Sequence, residues 1–174
     1  MQHSLTYALR ESDLRRIMGT STHIVPYRHL ARIRTIHDLF GNRAFVVILF
    51  EVERNRGHWT LLIRRPQSIE FFDSYGFVPD DELHLIPAHY RIQNYQQYPH
   101  LLQILYQSGM PIEYSPYHFQ SFGEGVNTCG RWCILRWILA GYDIDDFAAI
   151  VFRLASQTHL PLDDLVTQIT NPLL

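Results

Sequence analysis

The chain has 174 residues, of which 47% are hydrophobic and 18% are charged, and its formal net charge is −2. This composition predicts a single globular domain over residues 1–174 and excludes an intrinsically disordered chain. The longest apolar run, residues 44–50, is too short for a membrane-spanning helix, which needs about 20 residues.

Charge is unevenly distributed along the chain. All 15 basic side chains are arginines; eleven of them lie in residues 1–65 beside five acidic residues, whereas the remainder has four arginines and twelve acidic residues. The arginine-rich half indicates either an anionic partner such as DNA or an ordinary solvated basic face. The first residues lack the pattern of a secretion signal, so we expect a reducing compartment in which both cysteines remain free thiols.

The first half of the chain predicts one helix and three strands. A helix is indicated over residues 12–18, with Ser12 as its N-cap and Gly19 as its end, and mixed loop and short helix follow over 20–43. Three apolar segments have the β-branched and aromatic residues typical of strands, and turns between them predict an antiparallel meander. These strands are residues 44–53, 59–64 and 69–73, and the turns are 54–57 and 65–68.

The second half of the chain is predominantly helical. Its predicted elements are a short helix opening at 79–82, a helix at 99–107, a short strand at 112–115, a Gly-rich loop at 118–128, a buried helix from Cys129 towards Gly141, and helices near 145–157 and 162–170. This order predicts an α+β fold, with a small, mixed and largely antiparallel central sheet flanked by helices.

The two cysteines, Cys129 and Cys133, lie one helical turn apart. Cys129 is at the junction of the loop and the buried helix, where unpaired first-turn N–H groups and the helix dipole favour a thiolate. Cys133 is predicted to be a small buried hydrophobe. A zinc site would need further clustered ligands, and a disulfide across one turn has poor geometry. Two hypotheses therefore remain for Cys129, an inert thiol or a nucleophile, and no metal site is predicted.

Three polar residues offer partners for a nucleophilic Cys129. His58 opens the second strand and Asp73 ends the third, so pairing of these strands brings both to one edge of the sheet. Asp73 can then orient the imidazole while its other nitrogen faces the cysteine. Gln120 can donate its side-chain amide to an oxyanion, together with the Cys129 backbone N–H. Each residue alone has an ordinary structural explanation, but the four together predict a catalytic site.

Two segments resemble the adenain-like cysteine proteases. They are "HWTLLIRRPQSIEFFDSYGFVPDDEL" (58–83) and "FQSFGEGVNTCGRWC" (119–133). The helices at 11–19 and 163–171 are also similar to the first and last helices of that family, whereas 84–118 is only weakly similar. The family includes the adenovirus maturation protease, its relatives in virophages, Polinton-type elements and large DNA viruses, and, more distantly, the SUMO-specific proteases.

The resemblance implies a role for each site residue. Cys129 would be the nucleophile, His58 the base, Asp73 the orienting acid and Gln120 the oxyanion donor. Trp59, Gly130 and Asn127 would bind substrate, and the fold would be related to papain with a permuted catalytic order. Gln120 lies nine positions before the cysteine, rather than the six or seven usual in the family, so either the loop is longer or a backbone amide takes this role.

The function that the resemblance implies is processing of viral capsid or structural precursor proteins during virion maturation, with cleavage after small residues such as Gly-Gly. An isopeptidase acting on the host's ubiquitin-like modifiers is the alternative, because it uses the same chemistry. A non-enzymatic binding module is the third hypothesis, which a thiol titrating like free cysteine would favour.

No cofactor is required by the sequence. The adenovirus enzyme is activated by a peptide through a disulfide to a mid-chain cysteine, but Cys129 and Cys133 are the only cysteines here, so any peptide or DNA activator would bind non-covalently. The expected partners are the precursor proteins, with DNA contacting the arginine-rich half, and no membrane. The expected location is the virion and the cytoplasm or nucleus of the host cell.

Overall fold

The computed structural model describes residues 5–53 and 56–174. The strands are β1 (His23–Pro26), β2 (Phe45–Glu53), β3 (Arg56–Arg64), β4 (Ile69–Phe72) and β5 (Ile112–Tyr114). The α-helices are α1 (Glu11–Met18), α2 (Ile36–Phe40), α3 (Ala88–Gln93), α4 (His100–Gln107), α5 (Cys129–Ile138), α6 (Ile144–Thr158) and α7 (Leu162–Thr170), and 3₁₀ helices cover Tyr27–Arg32, Asp81–Leu85 and Asn171–Leu173.

The five strands form one mixed sheet in the order β1-β2-β3-β4-β5. The inner pairs, β2 with β3 and β3 with β4, are antiparallel, which confirms the predicted meander. The outer pairs, β1 with β2 and β4 with β5, are parallel. The α+β class, with a small mixed sheet flanked by helices, is therefore confirmed.

Both faces of the sheet are buried, and β2 shows why its sequence is continuously apolar. Val47 and Leu49 pack in the cluster that covers one face, whereas Ile48 and Phe50 pack in the cluster on the other. Helices α1, α5, α6 and α7 contribute to the first cluster, and α2, α4 and the first two 3₁₀ helices contribute to the second. A strand buried on both sides loses the alternation of polar and apolar residues that a half-exposed strand shows.

Several element boundaries differ from the predictions. Helix α1 begins at Glu11, after Arg10, whose backbone N–H donates to Oδ2 of Asp13 (3.0 Å), so Ser12 lies inside the first turn and is not the N-cap. Gly19 ends this helix as predicted, with φ +101°.

Three further differences concern the strands and the buried helix. Strand β1 within residues 20–43 was not predicted. The predicted turn at 54–57 lies partly outside the described residues, and Arg56 and Gly57 belong to β3 rather than to a turn. Helix α5 ends at Ile138, before Gly141. Among the described residues, no helix has both the length and the apolar character needed to cross a membrane.

Candidate active site

The register of β3 and β4 places His58 next to Asp73. Leu61 pairs with Phe72 across the two strands, so residues 58 and 73 lie diagonally on one face of the sheet, within reach of each other's side chains. Gly57 allows the backbones of β2 and β3 to come close at this end, because a Cβ at position 57 would lie 1.8 Å from a carbonyl oxygen of β2. Nε2 of His58 lies 3.3 Å from Oδ2 of Asp73.

Asp73 is fully buried, and its two carboxylate oxygens have different surroundings. Oδ1 accepts a hydrogen bond from the backbone N–H of Tyr75 (2.7 Å). This bond turns Oδ2 towards the imidazole of His58. The ring of Tyr75 stacks on that imidazole with a centroid distance of 4.6 Å, and on the exposed ring of Phe122 at 4.3 Å. The sequence "DSYG" after β4 therefore both orients the imidazole and packs against it.

A second acid, Glu82, lies beside the same nitrogen and was not predicted. Its Oε2 is 3.5 Å from Nε2 of His58, and the exposed fractions of His58, Asp73 and Glu82 are 7%, 0% and 6%. Glu82 comes from the 3₁₀ helix Asp81–Leu85. Nothing in its spacing from the strands indicated this contact, because the intervening loop sets its position.

The surroundings of His58 favour its protonated form. Burial lowers the pKa of His58, but the charges of Glu82 and Asp73, together with hydrogen bonds to Asp73 and to the side chain of Cys129, raise this pKa well above its ordinary value. Since Nε2 faces the two acids, Nδ1 is the nitrogen that remains for the cysteine sulfur. The structure thus brings together His58, Asp73 and Cys129, as the sequence predicted.

Cys129 is the first residue of α5 and is 8% exposed. The helix start is held by Asp163 of α7, whose Oδ1 accepts hydrogen bonds from the hydroxyl of Thr128 and from Nε1 of Trp132 (3.4 Å). Oδ2 of Asp163 accepts from the backbone N–H of Ser121 (2.9 Å), which also fixes the preceding loop. This role of Asp163 could not be predicted from the sequence, because Asp163 lies far along the chain from all three donors.

Cys133 lies deeper in the protein, as predicted. Its thiol donates to the backbone oxygen of Trp59 (3.4 Å), and burial raises the pKa of this thiol well above its ordinary value. Both cysteines are free. Only Cys129 of the two borders the cleft described below.

Gln120 is buried in the loop before Cys129, and its amide already has partners. Nε2 donates to the hydroxyl of Tyr75 (3.1 Å) and to the backbone oxygen of Val126 (3.3 Å), while Oε1 accepts from the hydroxyl of Ser74 (2.8 Å). Donation to an oxyanion would require Gln120 to release one of these two acceptors. The longer contact, to Val126, is the one that a bound substrate can replace most readily.

A cleft of about 650 Å³ opens beside Cys129 and His58. Trp59, Asn127 and the segment 6–10 line it. Asn127 holds this segment, since its backbone N–H donates to the backbone oxygen of Leu5 (2.9 Å) and its side-chain amide to that of Thr6 (3.0 Å).

Trp59 and Gly130 fix the other end of the same segment. Nε1 of Trp59 donates to the backbone oxygen of Leu9 (2.9 Å). Gly130 allows Leu9 to approach, because a Cβ there would lie 3.0 Å from Cβ of Leu9. The missing side chain at position 130 thus accommodates the chain's own N-terminal segment.

One group of described residues has the spacing of metal ligands. The ligand atoms of His58, Asp73 and Glu82 all lie within 4.8 Å of one another. A metal ion held there would occupy Nε2 and the carboxylates that face it. The same three side chains can therefore hold a metal ion or orient a catalytic imidazole, but not both at once.

Comparison with known proteins gives one informative relationship. No model of a known protein family matches the chain. Over 164 residues, the chain is 40% identical to the "Uncharacterized protein V9" of Sputnik virophage, and the alignment covers 94% of each of the two chains.

Proposed function

The chain belongs to the family of the "Uncharacterized protein V9" of Sputnik virophage, and from its site geometry we propose that it is a viral cysteine endopeptidase that processes capsid or structural precursors during virion maturation. One observation carries the proposal: His58 contacts the buried acid Asp73 through Nε2, and His58 and Cys129 line the same open cleft. A thiol, an imidazole and a carboxylate in this order are what a cysteine nucleophile requires. The fold related to papain, with a permuted catalytic order, is part of the same proposal.

In the proposed reaction, Nδ1 of His58 takes the proton from Sγ of Cys129. The thiolate attacks the scissile carbonyl carbon, and the carbonyl electron pair moves to oxygen. The C–N bond breaks as the imidazolium donates its proton to the leaving amine, which yields a thioester. Water, deprotonated by His58, then cleaves the thioester and regenerates the thiol.

The negative charge on the substrate oxygen needs hydrogen-bond donors. The first-turn N–H groups of a helix have no acceptor within that helix, and Cys129 is the first residue of α5. Its backbone N–H is therefore the primary proposed donor. Gln120 is the second, by turning its amide from Val126 towards the substrate, because catalytic hydrogen bonds often tighten only in the substrate complex.

The substrate is expected to have small residues before the cleaved bond. At position 130, even an added methyl group would lie 3.0 Å from Leu9 and 3.2 Å from Trp59. These neighbours belong to the chain itself, so the proposed preference for Gly-Gly rests on the resemblance to the adenain-like proteases. Trp59, Gly130 and Asn127 are the proposed substrate-binding residues. A non-covalent peptide or DNA activator, and a location in the virion and in the host cytoplasm or nucleus, remain proposals.

The direct test is cleavage of candidate capsid precursors by the purified protein, with the cut sites identified by mass spectrometry. We expect the wild type and Cys133→Ala to cleave and Cys129→Ala to be inactive, since only Cys129 borders the cleft. Equal cleavage by wild type and Cys129→Ala would rule out Cys129 as the nucleophile.

The isopeptidase alternative uses the same chemistry, so substrates must separate the two. Precursor-derived peptides containing Gly-Gly and vinyl-sulfone probes based on ubiquitin-like modifiers can be compared on one enzyme preparation. Preferential turnover of the viral peptides supports the maturation protease. Preferential labelling by a modifier probe, with slow cleavage of viral precursors, would favour the isopeptidase.

A further inference from the structure

The proposed triad leaves one buried acid without a role. Glu82 is 6% exposed, borders the cleft, and approaches Nε2 of His58 nearly as closely as Asp73 does. Nε2 of His58, Oδ2 of Asp73 and Oε2 of Glu82 face one another, and none of them has another hydrogen-bond partner in the described part of the chain. A buried polar atom without a hydrogen-bond partner destabilises the folded protein. These three atoms must therefore satisfy one another.

Two negative charges this close together are unfavourable in a buried site. Burial raises the pKa of Glu82 well above its ordinary value, the charge of Asp73 and a hydrogen bond to it act in the same direction, and the charge of His58 opposes them. Cys129, at the start of α5, and Tyr75, after β4, also interact electrostatically with Glu82. Like-charged acids at such distances titrate separately, with one of them retaining its proton.

The contacts of Asp73 identify where that proton goes. Oδ1 of Asp73 is occupied by the N–H of Tyr75. Oδ2 remains, and it faces both the imidazole N–H of His58 and the carboxyl group of Glu82. An ionised carboxylate oxygen has lone pairs for two donors. Asp73 is therefore arranged to accept from both neighbours.

We propose that Glu82 is a second acid of the site. While Asp73 carries the negative charge, Glu82 donates its proton to Oδ2 of Asp73. When residue 73 is neutral, Glu82 ionises and supplies the negative charge to His58. This inference rests on the proposed protease function and adds a positioning residue to it. Glu82 acts through His58 and Asp73 and does not touch the scissile bond. The pair of acids thereby presents one negative charge to the imidazole.

The first test is a double-mutant cycle in peptide hydrolysis. Asp73→Asn removes the charge but keeps an acceptor for the N–H of Tyr75, and Glu82→Gln keeps a hydrogen donor for Asp73. Loss of the acid from a Ser-His-Asp triad costs about 10⁴ in kcat. Because Glu82 can replace the charge, we expect Asp73→Asn to lose only about 10- to 100-fold, and Asp73→Asn with Glu82→Gln to lose the full 10⁴ or so. Glu82→Gln alone should lower kcat by a smaller factor than Asp73→Asn does, because Asp73 still carries the negative charge beside His58.

A matched control and a pH profile separate this role from a structural one. Asp81→Asn removes an exposed acid from the same 3₁₀ helix and should change nothing in either background. In Asp73→Asn, activity should rise with pH as Glu82 ionises. The variant that carries both Asp73→Asn and Glu82→Gln should not show this rise, because it has no carboxyl group at position 82. Equal activity and equal pH profiles for Asp73→Asn with and without Glu82→Gln would overturn the proposal.

The second test needs no substrate, and it separates failure of this inference from failure of the proposed function. Iodoacetamide alkylation of Cys129 is followed against pH in the same variants, with the label located by peptide mass spectrometry. The pH midpoint should move by less than about half a unit in Asp73→Asn and by at least about one unit in the double variant. If these shifts are observed but no precursor is hydrolysed, the protease function is contradicted and the acid pair is supported. If precursors are hydrolysed but the shifts are absent, the acid pair is contradicted and the protease function is supported.

The same experiment distinguishes a metal ion from a shared proton. If EDTA accelerates alkylation of the wild type and has no effect on Glu82→Gln, the three side chains hold a metal ion, and the shared proton is overturned. Alkylation that is insensitive to EDTA in both proteins supports the acid pair.

Discussion

The carboxylate of Asp163 accepts a hydrogen bond from the hydroxyl of Thr128 and so connects helix α7 to the residue immediately before Cys129. The same carboxylate accepts from the backbone N–H of Ser121 and from the indole of Trp132. The buried side chain of Asp163 therefore sets the position of the loop, of the start of α5 and of Trp132 in the first turn of that helix. The proposed nucleophile depends on a helix that follows it by more than 30 residues.

Asp163→Asn should destabilise the protein and displace Cys129. The amide nitrogen of asparagine would replace an oxygen that now accepts a hydrogen bond, leaving two donors facing each other in a buried site. We expect a loss of about 2–3 kcal/mol in unfolding free energy, measured by urea denaturation, together with slower alkylation of Cys129. Asp164→Asn, at the next position of α7, is the control and should unfold like wild type. Unchanged stability in Asp163→Asn would contradict this role.

Gly130→Ala should push the N-terminal segment away from the cleft. The added methyl group would lie 3.0 Å from Cβ of Leu9 and 3.2 Å from Cδ1 of Trp59. Overpacking of this kind costs about 1–3 kcal/mol, to be measured by chemical denaturation. Gly141→Ala is the matched control, because nothing lies within 4 Å of a Cβ there. In a Leu9→Gly background, which lacks both Leu9 atoms near the added methyl group, Gly130→Ala should cost less stability, and an unchanged cost would argue against the Leu9 contact as its cause.

The two cysteines should differ sharply in reactivity. Cys133 is 1% exposed, and burial raises its thiol pKa well above the ordinary value, so the native protein should resist modification at this position. We expect iodoacetamide near neutral pH to label Cys129 alone, and to label both cysteines in urea. The unlabelled state of native Cys129→Ala is the control. Equally fast labelling of both cysteines in the folded protein would show that Cys133 is accessible.

The stability contributed by His58 should decline as the pH rises. Its pKa is raised well above 6.5 in the folded protein, so the stabilisation is fully present below the unfolded value of about 6.5 and is lost as the pH rises through the folded value. The difference in unfolding free energy between wild type and His58→Gln should shrink from pH 6 upward, by about 1.4 kcal/mol per unit of raised pKa. His84→Gln, at an exposed position, should show no such trend. A difference that grows with pH would refute this assignment.

Gln120→Ala tests the proposed oxyanion donor. If the amide stabilises the transition state, kcat should fall by about 10²-fold while KM changes little, as for other oxyanion donors. Gln107→Ala, at an exposed position on α4, is the control. A loss confined to thermal stability, with kcat preserved, would show that Gln120 only connects Ser74, Tyr75 and Val126.

The sequence predicted the parts of the fold whose signals are local. The meander of β2, β3 and β4 followed from apolar segments separated by turns, and the same reasoning placed His58 and Asp73 at one edge of the sheet. Strand β1 was missed because four residues carry little periodicity and the residues of β2 that pair with it lie 23 positions further along the chain, as in the pair His23 and Val46. The N-cap at Ser12 was wrong because Asp13 binds the backbone of Arg10 instead.

The parts of the site that the sequence did not predict are those that tertiary packing decides. Glu82 reaches His58 from a 3₁₀ helix after an irregular segment, and Asp163 reaches Thr128 from the far end of the chain. Neither residue belongs to a spacing pattern that a single sequence can reveal. Gln120 lines the cleft from the loop before Cys129, but its hydrogen bonds to Tyr75 and Val126 could not be predicted, because they depend on how the Gly-rich loop folds back on itself.

The N-terminal segment that lines the cleft has a practical consequence for recombinant work. Leu5 and Thr6 are held by Asn127, and the carbonyl of Leu9 by Trp59, so a peptide fused on the N-terminal side is joined to a segment that lines the cleft. Such a tag can compete with a true substrate or become one. Affinity tags should therefore be placed after Leu174. With an N-terminal fusion, the measured rates would include inhibition by the tag or cleavage of the tag.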